Sequence, residues 1–396
     1  MRNIEKKDDL TIRYALVQCF YWMLYGNVTG FVSVYLLDNG FSNTRIGILI
    51  AVMGIVSAVS QPVLAGYADK DKSPSLKKIV SFLVAVQLIL CVLLLTVHHE
   101  SSVLTGLFYG CSVAAIQLLT PFINALGMES INQKKKLNFG AARGIGSAGY
   151  AAASYAAGAA IAKAGTVSLP ISMTSITTVL LISLYLFPFQ KVPVQVQKTE
   201  KENNHSFLYF GKKYKRFCIT LLGCVLIYIS HVLLNSFTFQ IVEDKGGGSE
   251  EMGIAMAVAA LLELPTLFLF SHMLKKIRCD IWFRISGIFF FLKTLGTLLA
   301  PDIPVFYAVQ IFQMLGFGLI VVASVYYVNS IMEKQDAIKG QAYISMTNTL
   351  GSVIGALLGG MLIDKMGVPV MLVFATVSAA AGAGIILFSA ERTGIQ

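Results

Sequence analysis

Long apolar stretches separated by short polar runs make up almost the whole chain. Twelve of these stretches reach about twenty residues or more, the length that a helix needs to cross about 30 Å of hydrocarbon. They cover residues 14–37, 44–68, 78–98, 102–130, 139–164, 167–189, 217–242, 249–274, 281–300, 303–331, 340–365 and 367–389. The pattern predicts an all-α polytopic membrane protein with twelve transmembrane helices.

The composition agrees with this interpretation, and the polar runs indicate how the helices are grouped. Hydrophobic residues make up 56% of the 396 residues and charged residues only 13%, against about 45–50% and about 25% in soluble domains. The longest polar run lies at the midpoint of the chain. We therefore expect two pseudo-symmetric six-helix bundles, residues 1–189 and 217–396, joined by a linker at 190–216 and enclosing a central cleft.

The positive charges fix the predicted orientation. Most of the 31 Lys and Arg residues lie near the N-terminus, in the linker and in the loops on the same side as both. Only Arg45, Lys163, Lys245 and Lys365 fall on the other side. Cytoplasmic loops carry the excess of Lys and Arg, so both termini and the linker are predicted to be cytoplasmic, in a cytoplasmic (inner) membrane. The net charge of +10 is therefore explained by basic residues that set the topology and contact anionic lipid. Binding to nucleic acid is not needed to explain it.

Several ionisable or strongly polar side chains interrupt the apolar segments. Arg143 lies just inside the fifth segment and Glu263 in the middle of the eighth. A charge there costs at least about 2.5–3.5 kcal/mol unless it is paired, so we expect the two to meet from opposite halves and share a solute cavity. Lys293 lies in the ninth segment, and His231 and Asn235 share one face of the seventh because they are four residues apart.

Three stretches stand out as motifs: AGYADKDK after the second segment, NFGAARGIGSAGY in the fifth and AALLELPTLF in the eighth. They resemble the major facilitator superfamily, and within it the oligosaccharide:proton symporters (lactose permease-like) and the related phenylpropionate and nucleoside permeases. The resemblance implies that Arg143 and Glu263 bind substrate and that Tyr150 stacks on it. It also assigns Asp69 and Lys70 to conformational gating through charge pairs.

Other positions are similar to the permease pattern but carry different residues. Asn235 stands where the family has an aspartate, Lys293 where it has an arginine, and Asn124 where relatives carry a carboxylate. In the tenth segment the basic residue, histidine and glutamate of the proton machinery are replaced, in order, by Gln310, Gln313 and Gly316. We therefore expect Lys293, Asn235, His231, Tyr25, Asn124 and Gln313 to line the substrate site, and Glu263 or His231 to carry any coupling proton.

The predicted function is secondary active import of a small polar organic solute by alternating access. By resemblance the solute is a sugar or glycoside, the transporter acts as a monomer, and the energy comes from an ion gradient, predicted to be protons, without a cofactor or metal. An organic anion such as an aromatic acid, favoured by the charges in the cleft, or a nucleoside is an alternative, and a multidrug exporter a weaker one. A membrane enzyme or receptor is the weakest, because the sequence contains no GxxxxGK[ST], HExxH or GxSxG motif.

Overall fold

The computed structural model describes residues 10–68, 73–97, 102–189 and 207–394. These residues form α-helices, numbered α1 to α16 in chain order, and the protein has the predicted all-α fold class. The helices of the first half are α1 (Thr11–Tyr25), α2 (Val32–Asp38), α3 (Asn43–Ala68), α4 (Leu76–Val97), α5 (Ser102–Asn132), α6 (Phe139–Ala164) and α7 (Ser168–Leu186). Those of the second half are α8 (Phe207–Lys213), α9 (Lys215–Ser236), α10 (Thr238–Asp244), α11 (Ser249–Leu274), α12 (Cys279–Leu299), α13 (Ile303–Val309), α14 (Phe317–Ile331), α15 (Lys334–Met366) and α16 (Val368–Ser389).

Among the described residues, 10 helical stretches are long and apolar enough to cross a membrane. They correspond to ten of the twelve predicted segments. The other two predicted segments are also helical. The first is divided between α1 and α2, and α1 alone has 15 residues. The fifth is the 26-residue helix α6, whose glycines, serines and Arg143 lower its mean hydropathy.

Three predicted segments are not the uninterrupted helices that their hydropathy indicates. The first contains a π-helix at Gly26–Gly30. The seventh breaks at Phe237, between α9 and α10. The tenth contains a 3₁₀ turn at Gln310–Gln313 between α13 and α14. Such irregular stretches inside helices often occur at functional sites, and the 3₁₀ turn contains the predicted site residue Gln313.

The chain divides into two compact units: Met1–Phe41 with Val52–Gln195, and Ser42–Ala51 with Val196–Gln396. In the first unit α1 packs against α6 and α7, and α4 against α5 and α7. In the second, α9 packs against α15 and α16, and α12 against α14 and α16. The same order of neighbours recurs in both, as expected for repeats of one bundle. The predicted boundaries and the cytoplasmic side of the linker stay predictions, and residues 190–206 lie outside the described residues.

Small residues allow the central helices of each unit to approach closely. In the first unit, a methyl group added to Gly146 would lie 2.6 Å from the Trp22 ring. In the second, one added to Gly351 would lie 2.5 Å from Cβ of Tyr228. Glycine is therefore required at both contacts, and the Gly/Ala-rich sequence of α6 serves helix packing.

The first residues of α3, which belong to the second unit, are bound by α15. Asp364 accepts hydrogen bonds from the backbone N–H groups of Asn43 (3.1 Å) and Thr44 (2.7 Å) and from Nδ2 of Asn43 (2.9 Å). Gln240 on α10 donates to Oδ1 of Asn43 at 2.7 Å. A carboxylate thus satisfies the N–H groups at a helix start, although 320 residues of sequence separate it from Thr44.

Candidate functional site

Arg143 is anchored within the first unit by contacts of its own helix and of α1. Asn138 caps α6 by accepting a hydrogen bond from the N–H of Ala141 at 3.0 Å, which places Arg143 in the second turn. Its Nη1 donates to Ser147 Oγ at 2.8 Å, and its guanidinium carbon lies 3.8 Å from the centroid of the Trp22 ring. The guanidinium plane is therefore held by a cation–π contact and by a hydrogen bond to its own helix.

A hydrogen-bond network extends from this contact to Asn124. Trp22 Nε1 donates to Oε1 of Gln18 at 2.9 Å. Nε2 of Gln18 in turn lies 3.3 Å from Oδ1 of Asn124 and 2.7 Å from the hydroxyl of Tyr14. The structure thus brings Arg143 and Asn124, two predicted site residues, into one cluster through Trp22 and Gln18.

The predicted aromatic residues lie beside this network. The rings of Trp22 and Tyr25 have centroids 5.1 Å apart, and those of Tyr21 and Tyr25 6.1 Å. The Tyr150 ring packs against the backbone at Gly26, since a methyl group there would lie 3.1 Å from it. The Tyr150 ring therefore lies against the start of the π-helix, directly after Tyr25 in the chain, and we name this set of residues (Gln18, Trp22, Tyr25, Asn124, Arg143, Ser147 and Tyr150) the arginine cluster.

Sequence reasoning missed Gln18 and Ser147 as parts of the arginine cluster. Gln18 is fully buried and lies one turn before Trp22, and Ser147 lies one turn after Arg143. A polar residue four positions from a candidate side chain shares its helix face. That spacing was present in the sequence and could have identified both.

In the second unit, the interruption of the tenth segment positions Gln313. The 3₁₀ turn at Gln310–Gln313 ends before Gly316, and α14 begins at Phe317. The carbonyl oxygen of Met314 in this break accepts a hydrogen bond from the Thr266 hydroxyl of α11 at 2.8 Å. An added methyl at Gly318 would contact Glu263 at 3.4 Å. The turn and the start of α14 thereby lie directly against the part of α11 that carries Glu263.

Gln313 connects the two charged residues predicted for this unit. Its Nε2 donates to Glu263 Oε1 at 2.6 Å, and its Oε1 accepts from Lys293 Nζ at 2.6 Å. Lys293 and Gln313 are buried, with 6% and 4% exposure, whereas Glu263 is partly exposed. One amide thus links an ammonium group to a carboxylate, and we call Lys293, Gln313 and Glu263 the amide bridge.

His231 and Asn235 form a second polar pair nearby. Nδ2 of Asn235 lies 2.8 Å from Nε2 of His231, within hydrogen-bond distance, and the tautomer of the ring decides the donor and acceptor roles. The imidazole stacks on Phe317 with centroids 4.3 Å apart and an interplanar angle of 6°. The ring is therefore buried and packed as well as hydrogen-bonded, and its predicted part in proton coupling stays a prediction.

A cavity of about 30 Å³ adjoins the amide bridge, which is space for about one or two water molecules. Its polar lining comes from Asn235, Thr238, Lys293 and Gln310, and the rest is apolar. The cavity connects the Asn235 pair to the ammonium group, so four predicted residues (Lys293, Asn235, His231 and Gln313) belong to one region of the unit. Glu263 joins them through Gln313.

The functional roles of all the predicted site residues stay predictions, and for two parts of the site even the contacts lie outside what the structure describes. Asp69 and Lys70, predicted to act in gating, lie outside the described residues. Arg143 and Glu263 belong to different units, so their predicted meeting in a shared cavity also stays a prediction.

Comparisons with known proteins agree with the helical architecture. Residues 11–374 match the MFS_1-like family. The chain is 22% identical over 384 residues to the uncharacterized transporter YwbF of Bacillus subtilis (strain 168), covering 95% of this chain and 93% of that protein. Both matches point to a transporter and not to an enzyme.

Solved structures of transporters share the fold. The crystal structure of the nucleoside transporter NupG (D323A mutant) has a TM-score of 0.83 at 15% identity, covering 97% of this chain and 100% of that one. The inward-facing structure of a bacterial homologue of the human lysosomal transporter Spinster has a TM-score of 0.60 at 14% identity, covering 96% and 94%. With a family match across most of its length and membrane-spanning helices throughout, the chain belongs to the MFS_1-like family of transporters and is an integral membrane protein.

Proposed function

We propose that the protein is a secondary active importer of a small neutral, hydroxylated organic solute, with a sugar or glycoside as the first candidate. The amide bridge is the observation that carries this proposal. A partly exposed carboxylate whose charge is offset inside its own unit accepts hydrogen bonds from hydroxyl groups without requiring a cationic partner. Intramembrane ionisable groups of this kind mark substrate pathways.

The organic-anion alternative loses support from the same contacts. Its basis was an excess of positive side chains, Arg143, Lys293 and His231, over Glu263. Lys293 is linked to Glu263 through Gln313, and His231 is stacked on Phe317 and lies within hydrogen-bond distance of Asn235. Arg143 is then the remaining positive charge among these four, and one arginine suits hydroxyl groups as well as a carboxylate.

A nucleoside is the second candidate, and the arginine cluster favours it. Trp22, Tyr25 and Tyr150 offer aromatic faces within one helix pair, and rings of this kind stack on bases. A nucleoside also has ribose hydroxyl groups, which can donate hydrogen bonds to the carboxylate of Glu263. The fold shared with a nucleoside transporter is compatible with this candidate but does not select it.

Transport by the purified protein in proteoliposomes tests the proposal. We would measure uptake of radiolabelled lactose, melibiose, uridine, adenosine and 3-phenylpropionate, with and without an inward proton gradient. Saturable uptake of a glycoside or nucleoside that is lost in Glu263→Gln, with normal amounts of reconstituted protein, supports it. Uptake of 3-phenylpropionate alone, or glycoside uptake unchanged in Glu263→Gln, contradicts it.

The predicted proton coupling, monomeric action and cytoplasmic termini remain further proposals. An increase of uptake with the proton gradient tests the proton coupling.

A further inference from the structure

The amide bridge raises the question of what balances the charge of Glu263 when no solute is bound. A carboxylate among apolar helices must be paired or must bind a proton, because an uncompensated charge there is costly. In many carriers a coupling proton has this role. In the second unit, the side chain of Gln313 connects Lys293 to this carboxylate. The ammonium group of Lys293 also interacts electrostatically with Glu263.

The orientation of Gln313 matches two ionised partners. An amide has a positive end, its NH₂ group, and a negative end, its carbonyl oxygen. The NH₂ end faces Glu263 and the oxygen faces Lys293, at 2.6 Å each. Both distances are short, as in hydrogen bonds with a charged partner. The amide dipole thus extends the ammonium charge toward the carboxylate across a gap that Lys293 does not span itself.

We propose that Lys293 replaces the proton at Glu263: through Gln313 it keeps this carboxylate ionised in the solute-free carrier. The solute hydroxyl groups then meet a charged acceptor from the start. If a coupling proton exists, it binds elsewhere than at Glu263. Glu263 is a solute-binding residue only if the proposed function holds, but its ionisation state is measurable without any solute.

Other ionisable groups near Glu263 are engaged with different partners. The elements packed against α11 are α10, α13, α14 and the 3₁₀ turn, and their ionisable side chains are Glu243, Asp244, Tyr307, Tyr326 and Tyr327. Tyr307 interacts with Glu250 and Glu251 at the start of α11, and the Tyr326 ring packs on Phe270. Tyr327 stacks on Phe283, and Glu243 and Asp244 end α10. His231 adjoins the ammonium side of the bridge and interacts with Lys293.

Carbodiimide labelling tests the proposal directly. Dicyclohexylcarbodiimide reacts with protonated carboxyl groups in apolar surroundings and not with ionised ones. We would treat the purified protein near neutral pH and quantify the adduct on Glu263 by peptide mass spectrometry. The parent should be labelled weakly. Lys293→Met should be labelled about tenfold more strongly, because a buried charge that loses its partner is neutralised by a proton.

Three control variants make the result specific. Lys293→Arg retains the charge and should be labelled as weakly as the parent. Lys245→Met removes a lysine that donates to the Ala300 carbonyl and is no part of the bridge, so it should also match the parent. Glu263→Gln must abolish the adduct, which shows that the label is on this residue.

Two results would overturn the proposal. One is strong labelling of Glu263 in the parent, a measurement that needs no variant. The other is equal, weak labelling of the parent and Lys293→Met. If Lys293→Met does not yield folded protein, Gln313→Leu interrupts the bridge and should raise labelling, whereas Gln310→Leu should not. Gln310 lies in the same turn with the same 4% exposure, and its Nε2 bonds only the Phe306 carbonyl. A failed solute screen leaves these outcomes unchanged, so the two proposals fail separately.

Discussion

Replacing Asp364 by alanine would test whether α15 holds the start of α3 as firmly as the hydrogen bonds indicate. The carboxylate accepts from two backbone N–H groups and one side-chain amide of Asn43 and Thr44. Alanine removes all three acceptor contacts and the negative charge at a helix N-terminus. Asparagine retains an acceptor oxygen but no charge, so its effect should be intermediate.

The size of the effect follows from the contacts. Loss of a helix N-cap side chain costs about 0.5–2 kcal/mol, and hydrogen bonds to a charged group contribute about 1.5–3 kcal/mol when well shielded. Asp364 is exposed, so water recovers part of the loss in the variant. We expect Asp364→Ala to lower the free energy of unfolding by about 1–3 kcal/mol, which lowers the melting temperature by about 2–6 °C.

The cysteines of the protein provide the assay. Cys91, Cys224 and Cys279 are buried and react with a fluorogenic maleimide only as the helices separate. Thermal unfolding in detergent would be followed for the parent, Asp364→Ala, Asp364→Asn and the neighbouring control Lys365→Ala. Asn43→Ala, alone and combined with Asp364→Ala, completes a double-mutant cycle whose coupling should be at least about 0.5 kcal/mol. Equal melting temperatures for Asp364→Ala and Lys365→Ala would refute the reasoning.

Three further predictions concern the polar cluster at the start of α15, the arginine cluster and the helix contacts. Lys213 donates to Asp336 at 2.8 Å, and this ammonium group lowers the pKa of the carboxyl. The stabilisation is therefore complete above the unfolded value of about 3.9 and is lost as the pH falls below it, so the melting temperatures of the parent and Asp336→Asn should converge in acid. Arg143→Lys should reduce uptake of the transported solute at least about tenfold, because an ammonium group reproduces neither the stacked fork on Trp22 nor its N–H pattern; uptake within twofold of the parent would contradict this. Gly149→Leu should give little folded protein, since even a methyl group would lie 2.8 Å from Cys19 Sγ, whereas Gly54→Leu, where nothing lies within 4 Å, should express normally.

The sequence predicted the helices well because lipid imposes one simple requirement on length and hydropathy. The ends of α6 and α11, at 139–164 and 249–274, coincide with the predicted segments. The interruptions were missed because a hydropathy pattern averages over a whole segment. Phe237 is as apolar as its neighbours, and the two glutamines of the 3₁₀ turn lie within an otherwise apolar segment. The pattern also contains no information about which carbonyl oxygens will bond a neighbouring helix.

The candidate site was predicted as residues but not as contacts. Arg143, Glu263, Lys293 and His231 were identified because ionisable groups in apolar segments are costly and therefore conspicuous. Their partners could not be assigned, since pairing depends on which faces meet after folding. Gln313 was predicted as a replacement in a family position and as a ligand for hydroxyl groups, yet the structure makes it the link between two charges.

That link changes how the charges of the site should be counted. Counting formal charges along the sequence gives three positive groups against one carboxylate and favours an anionic solute. Lys293 donates to Gln313, which in turn donates to Glu263, so the charge of Lys293 is offset within the unit. His231 is stacked on Phe317 and lies within hydrogen-bond distance of Asn235, so counting it as a positive charge is not justified by its position in the sequence alone. Within the first unit, a bound carboxylate would have to compete with Trp22 and Ser147 for Arg143. The partners of each charged side chain, and not only the number of charges, therefore have to enter the comparison between neutral and anionic solutes that the transport assay decides.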